Sequence, residues 1–102
     1  MLHIGVLQFC MEIPWATSLK DKRRVVQSLK EQVRRTFNVS ISEIDDLDNL
    51  TLATLAATMA GNDVAYINGA LDKLLNELQD WRDARLSDHQ LEIFSPTLDH
   101  ED

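Results

Sequence analysis

The spacing of apolar residues divides the chain into six short elements. Three stretches are rich in large apolar and β-branched residues at alternating positions, which indicates strands whose successive side chains point to opposite faces. A fourth stretch, made of Leu, Ala and Thr without charge, lies between two turn signals and is also predicted to be a strand. The predicted strands cover residues 2–13, 38–44, 50–60 and 84–94.

Two further stretches repeat their apolar residues every three or four positions, as one side of a helix does. The first helix is predicted to begin after Ser18, because Ser18 and Asp21 form a capping box, and to continue to about residue 37. The second is predicted to follow a cap at Asn62 or Asp63. Its apolar stripe ends at Trp81, which is therefore expected in the core. The two stripes are Leu19, Val26, Leu29, Val33 and Phe37, and Val64, Ile67, Leu71, Leu74, Leu78 and Trp81.

The predicted order of elements is β-α-β-β-α-β. Two interleaved right-handed crossovers in this order give an α+β sandwich of the ferredoxin-like type, a four-stranded antiparallel sheet with two helices on one face. One such domain is predicted over residues 1–94, followed by a short acidic, disordered tail over residues 95–102. The other face of the sheet is left open. Because an exposed apolar face is typical of an interface, it is a candidate docking surface, with contributions from Ile4, Val6 and Cys10.

Charge is distributed unevenly along the chain. The net charge of the 102 residues is −7, which argues against a general nucleic-acid coat protein. Seven of the ten Lys and Arg residues nevertheless lie between positions 20 and 35, where Asp21 and Glu31 alone oppose them. That segment therefore carries about +5, which leaves −12 for the rest of the chain. The seven are Lys20, Lys22, Arg23, Arg24, Lys30, Arg34 and Arg35.

The basic side chains of the first helix form a candidate anion site. A cation in the first turn of a helix is disfavoured by the helix dipole, by roughly 0.3–1 kcal/mol, so its presence there indicates another use. One interpretation is contact with the phosphates of structured RNA; the other is a solvated face whose charges pair with the acidic loop 45–49 or the acidic tail. Lys22 points close to the apolar stripe, and its ammonium is expected to reach outward to solvent. In the RNA interpretation, phosphates are held by Lys20, Lys22, Arg23 and Arg24, and the track is extended by Lys30, Arg34 and Arg35.

Other reactive side chains give weaker signals. Cys10 is most simply a small buried residue, and as a catalytic thiol it would need a base from His3 or His89. The three histidines lack the spacing of metal ligands. The acidic loop 45–49 lacks the Gly and distal Glu of a calcium loop and is expected to be solvated. No metal and no cofactor are therefore expected.

Trp15 follows Pro14 in the loop before the basic helix. We expect its indole to close one end of the core. The alternative is a stacking surface beside Arg23 and Arg24.

Enzyme signatures are missing from the sequence. It has no Gly-rich phosphate loop, no nucleophile elbow and no paired carboxylates, so a non-catalytic protein is expected. A single cysteine favours a reducing cytoplasm. The chain shows neither a signal peptide nor an apolar run long enough to span a bilayer, so no membrane partner is expected.

Two segments resemble signature segments of the YlxP-like family of small bacterial proteins of unknown function. They are residues 18–25, Ser-Leu-Lys-Asp-Lys-Arg-Arg-Val, and residues 37–44, Phe-Asn-Val-Ser-Ile-Ser-Glu-Ile. The resemblance extends over roughly residues 4–94 and implies a cytoplasmic protein with a ferredoxin-like fold. It also implies a gene often found beside those of translation factors and ribosome maturation factors. The sequence departs from the family pattern at residues 47–52, where relatives tend to carry a Gln-Asp-Leu-Trp-Gln-Arg-like segment.

These observations lead to two hypotheses of function. The first is an accessory protein that binds ribosomal RNA or another structured RNA, or a ribosome-associated partner, through its basic first helix. The alternative is a homodimeric protein-interaction module that uses the open face of its sheet.

Overall fold

The computed structural model describes residues 1–98 and contains the six predicted elements in the predicted order. The sheet order is β2-β3-β1-β4, and every neighbouring pair is antiparallel. The α+β ferredoxin-like arrangement is therefore confirmed. The acidic tail was predicted over residues 95–102, of which residues 99–102 lie outside the described part of the chain. The elements are β1 His3–Glu12, α1 Leu19–Thr36, β2 Ser40–Asp45, β3 Leu52–Gly61, α2 Val64–Gln79 and β4 Arg85–Phe94.

The core lies between the two helices and one face of the sheet. Alternate residues of the central strands β1 and β3 are buried there, among them Leu7, Phe9 and Leu55. Gly5 shows how closely α2 approaches β1, because a Cβ at this position would collide with the side chains of Ile67 and Leu71. The charge-free run of residues 50–60 contains most of β3, a central strand of the sheet. Its position between turn signals had predicted a strand.

Both helices begin at the residues that their caps predicted. The Ser18 hydroxyl accepts the backbone N–H of Asp21, at 3.1 Å, and the Asp63 carboxylate accepts that of Ala65, at 3.0 Å. Asp63, and not Asn62, is therefore the cap of α2. Each cap satisfies one of the backbone donors that the first turn of a helix leaves without a partner.

The prediction for Trp81 is wrong in part. α2 ends at Gln79, because the backbone N–H of Asp80 bonds back to the carbonyls of Glu77 and Leu78 and closes the last turn. Trp81 lies beyond the helix and is half-buried, packed against the edge of the core. In the sequence, the helical spacing of apolar residues continues to Trp81, past the end of the helix. Such spacing does not indicate where the backbone leaves the helix.

Candidate nucleic-acid interface

The outer side of α1 carries four cations that have no ion-pair partner within residues 1–98. Three of them are exposed and one is half-buried. The apolar residues of α1 face the sheet, so the helical period of 100° per residue turns Lys20 and Arg24 away from it. Arg23 and Lys30 lie on the flank of the helix that borders the loop after β2. The four are Lys20, Arg23, Arg24 and Lys30.

Lys22 does not belong to this surface, and the expectation that its ammonium reaches solvent is wrong. Its side chain is only 2% exposed. The Nζ atom lies 2.9 Å from Oε2 of Glu43 and donates hydrogen bonds to the carbonyls of Asp46, at 2.6 Å, and Leu47, at 3.5 Å. The loop after β2 folds over the start of α1 and supplies these acceptors, so Lys22 holds the loop and is unavailable to a phosphate.

Sequence reasoning missed the role of Glu43 as the partner of Lys22. Oε2 of Glu43 is fully covered, and the N–H groups of Lys22 are not aligned on it as in a hydrogen bond, so the attraction is mainly between the two charges. The signal was present in the sequence. Glu43 alternates with Ile41 and Val39 on the apolar side of β2, and a carboxylate there needs a buried cation.

The two arginines of the last turn of α1 have different surroundings. Nη2 of Arg34 donates to the carbonyl of Ile41, at 3.2 Å. β2 is an edge strand, so this contact satisfies one backbone acceptor that strand pairing leaves free. Arg35 is 74% exposed, and its nearest carboxylate is that of Glu31 on the same helix, 4.0 Å away. Arg35 therefore remains accessible, whereas Arg34 is partly committed to the sheet.

A groove of about 450 Å³ separates α1 from the loop after β2. Arg23 and Lys30 line its helix side, and Glu43 and Asp48 line the opposite side. Carboxylates on that wall repel an anion that enters deeply. A phosphate is therefore best placed on the outer crest of the helix, at the end where Lys20, Arg23 and Arg24 project.

Asp21 is the one acidic side chain in the first turn of α1. Its carboxylate accepts the backbone N–H of Thr17, at 3.0 Å, and the Thr17 hydroxyl, at 3.1 Å. These two bonds lower the pKa of Asp21 below its ordinary value, and Ser18 and the positive charge of Arg24 act in the same direction. Asp21 therefore stays ionised and fixes the loop that leads into the helix.

Trp15 does not close the core, contrary to the expectation. Its side chain is 49% exposed, and its Nε1–H donates to the carbonyl of Asp83, at 2.9 Å. The neighbouring Ile13 and Ala16 are buried in the core, whereas the indole is not. The indole lies instead against the loop between α2 and β4.

Ile4, Val6 and Cys10 lie on the open face of the sheet, as predicted, and all three are half-buried. This face is less apolar than expected. At one end Ile4 lies between Phe94 and Ala60, whereas Cys10 at the other end lies between Asp88 and Thr54. Along β1, the neighbours on this face are thus apolar at the end where β1 begins and polar at the other end.

Neither His3 nor His89 is hydrogen-bonded to Cys10. The Sγ atom lies 3.5 Å from the Thr54 hydroxyl, and neither imidazole is hydrogen-bonded to it. His89 pairs with Phe9 and not with Cys10, while Nδ1 of His3 lies 2.6 Å from the hydroxyl of Ser95. Cys10 and His89 line one small cleft, but no hydrogen bond joins the thiol to that imidazole.

The carboxylates of Asp45 and Asp46 in the acidic loop accept hydrogen bonds from the protein itself. Asp45 accepts the backbone N–H of Asp46, at 2.8 Å, and Asp46 accepts the Thr54 hydroxyl, at 2.6 Å. Asp46 has a φ of 57°, a left-handed conformation that aspartate tolerates better than most residues.

Within residues 1–98, no group of three or more His, Cys, Asp or Glu side chains is placed to hold a metal ion. In the same part of the chain, no helix combines the length and apolarity needed to cross a bilayer.

Comparison with known proteins places this arrangement in a family. A family model described as "Protein of unknown function (DUF503)" matches residues 4–91. No curated protein matches the chain. The matched range includes α1, the loop that covers Lys22 and most of β4. The chain therefore belongs to the DUF503 family, whose function is unknown.

Proposed function

We propose that this protein is a non-catalytic accessory protein that binds structured RNA, with ribosomal RNA as the leading candidate, through the outer side of α1. The observation that carries the proposal is the set of four cations there that have no ion-pair partner within residues 1–98. Lys20, Arg23 and Arg24 make the main phosphate contacts. Lys30 and Arg35 extend the track, with Arg34 contributing its charge, and Lys22 makes no contact.

The position of these cations supports binding of an anion. Lys20 lies in the first turn of α1, where the helix dipole is already positive and a further cation costs about 0.3–1 kcal/mol at low salt, and Arg23 and Arg24 follow in the next turn. A phosphate placed there gains from the dipole and from the side chains together. The resemblance to the YlxP-like family, whose genes often lie beside those of translation factors, agrees with a ribosomal ligand.

The net charge of −7 limits the interaction to a local contact. The rest of the molecule repels phosphate, so affinity depends on the few contacts that α1 supplies. Neutralising about four phosphates gives a slope of roughly −3 in a plot of log K against log salt concentration. Binding should therefore be clear at low salt and nearly lost at physiological salt unless other contacts add to it.

The test is co-sedimentation of the protein with purified ribosomal subunits at about 50 mM and about 200 mM salt. The variant Arg23→Glu/Arg24→Glu is compared with Lys73→Glu/Arg85→Glu, which changes the net charge equally at exposed positions outside α1. We expect the first variant to lose at least about tenfold in low-salt binding and the control to lose less than about threefold. Equal loss in both variants, or no binding of the unmodified protein at low salt, contradicts the proposal.

A homodimer that uses the open sheet face is the second candidate. Phe94 is 50% exposed and lies beside Ile4, which in turn pairs with Ala60, so an apolar row crosses three strands. A second copy would cover this row. Sedimentation equilibrium at high micromolar concentration tests it, and a strictly monomeric mass excludes it.

A further inference from the structure

Trp15 stands at the corner of a rigid turn. The backbone N–H of Ala16 donates to the carbonyl of Ile13, at 3.0 Å, which closes a β-turn over Pro14 and Trp15. Proline at the second position and a negative φ at Trp15 identify the turn as type I. Ile13 and Ala16 are both buried, and the backbone N–H of Ile13 donates to the carbonyl of Thr51, directly before β3, at 2.8 Å. The backbone on both sides of the indole is therefore fixed.

The indole is also held through its polar atom. The Nε1–H group donates to the carbonyl of Asp83, at 2.9 Å, although the side chain is 49% exposed. The hydrogen-bonding capacity of tryptophan is thus already used, and what remains open is apolar ring surface. Rigid, exposed tryptophan of this kind is typical of residues that anchor a partner, because little side-chain entropy is lost when the ring is covered.

We infer that Trp15 is a stacking platform for an unpaired nucleobase of the RNA that α1 binds; this inference rests on the proposed function. Trp15 precedes the cap residue Ser18 by three positions and therefore lies at the same end of the molecule as Lys20 and Arg24. The phosphates of a duplex lie along the outer side of α1, and an unpaired nucleotide at the end of that duplex places its base on the indole. The ligand class is structured RNA with a bulged or overhanging nucleotide, in preference to an uninterrupted duplex.

The open face of the sheet has no stacking aromatic on its central strands, which supports the assignment of the base to Trp15. RNA-binding sheets stack bases on aromatic residues of their central strands. The central strands β1 and β3 of this protein have no aromatic residue on the open face; Phe9 of β1 is buried on the helix side. Phe94 is on an edge strand, at the opposite end from the start of α1. The exposed Tyr66 of α2 borders the opposite end of α1, beside Thr36. A base that is bound together with phosphates at the start of α1 therefore finds its aromatic partner at Trp15.

The test compares two RNA hairpins that differ by one unpaired nucleotide at a junction. Their binding to the unmodified protein and to Trp15→Ala is measured at low salt, and Trp15→Phe serves as a variant that keeps an aromatic ring. Base stacking on an aromatic side chain changes affinity by about tenfold or more. We expect Trp15→Ala to lose about tenfold on the hairpin with the unpaired nucleotide and less than twofold on the paired one. Trp15→Phe should recover part of the loss, and the salt dependence should not change.

Fluorescence gives an independent measurement. In the variant Trp81→Phe, Trp15 is the sole tryptophan, and stacking of a base should quench its emission on addition of the hairpin with the unpaired nucleotide. Equal losses on both hairpins, or no loss with Trp15→Ala, overturn the inference. If both hairpins bind and respond to Arg23→Glu/Arg24→Glu while Trp15→Ala has no effect, the proposed function stands and the stacking role falls. If the unmodified protein binds neither RNA, both fall.

Discussion

Lys22 and Arg23 are neighbours in the chain, yet the 100° between their side chains on α1 gives them opposite surroundings. On the sheet side, the Lys22 ammonium is covered and its charge is committed to Glu43 and to two carbonyls of the loop after β2. On the outer side, Arg23 is exposed and has no ion-pair partner within residues 1–98. The comparison shows that one basic segment contains two kinds of cation.

The two kinds of cation are expected to serve different purposes, one in folding stability and the other in binding. A buried charge is costly to leave without its partner, so changes on the sheet side of α1 should affect the free energy of unfolding. Exposed charges contribute little to folding, so changes on the outer side should affect binding and leave stability nearly constant. Each of the following predictions tests this division.

The largest effect is expected for Lys22→Ala. Removal of the ammonium leaves the covered carboxylate of Glu43 and the carbonyl of Asp46 without their cation, and a broken buried pair costs about 3 kcal/mol or somewhat more. Urea unfolding measures the change. Replacement of both charges, in Lys22→Met/Glu43→Leu, should cost less than Lys22→Ala alone, because no unpaired charge remains. A loss below about 1 kcal/mol for Lys22→Ala would contradict the structural role.

A smaller effect is expected for Arg34→Ala. This change removes the hydrogen bond to the carbonyl of Ile41 and should lower the free energy of unfolding by roughly 0.5–1.5 kcal/mol. It also exposes part of the edge of β2, so light scattering should rise at high protein concentration. Arg35→Ala is the matched control, since within residues 1–98 its guanidinium reaches no carboxylate but that of Glu31, at 4.0 Å, and the change should alter stability by less than about 0.5 kcal/mol. Equal effects of the two changes would remove the distinction between these arginines.

The smallest effect concerns Asp21 and depends on pH. Its pKa is lower in the folded protein than its ordinary value of 3.8, so folding favours the ionised form. The stabilisation is fully present above pH 3.8 and is lost as the pH falls from there through the lowered pKa of the folded state. The difference in urea midpoint between the unmodified protein and Asp21→Asn should therefore shrink over this range. A difference that stays constant as the pH falls would show that the carboxylate charge does not stabilise the loop.

The sequence predicted those parts of the molecule that local patterns control. The caps at Ser18 and Asp63 and the placement of Ile4, Val6 and Cys10 on one face follow from side chains acting on their own element. The prediction for Trp81 failed because the end of α2 depends on where its last turn closes. A spacing pattern carries no record of that closure.

The candidate site could be predicted only in part, for a related reason. The angular position of Lys22 near the apolar stripe was correct, but the direction of its ammonium depended on a loop 24 residues further along the chain. The exposure of Trp15 likewise depended on Asp83, 68 residues away. Neither partner is visible from the residues adjacent to Lys22 or Trp15.

The sequence by itself determined the order of the elements, the burial of alternate residues in the central strands, and the concentration of cations on the outer side of α1. These features follow from the periods of helix and strand, which each segment carries within itself. The tertiary structure decided which cation is buried, which carboxylate pairs with it, how apolar the open face is, and that Trp15 remains exposed. Those outcomes depend on contacts between segments distant in the chain, where packing brings together partners that no local pattern specifies.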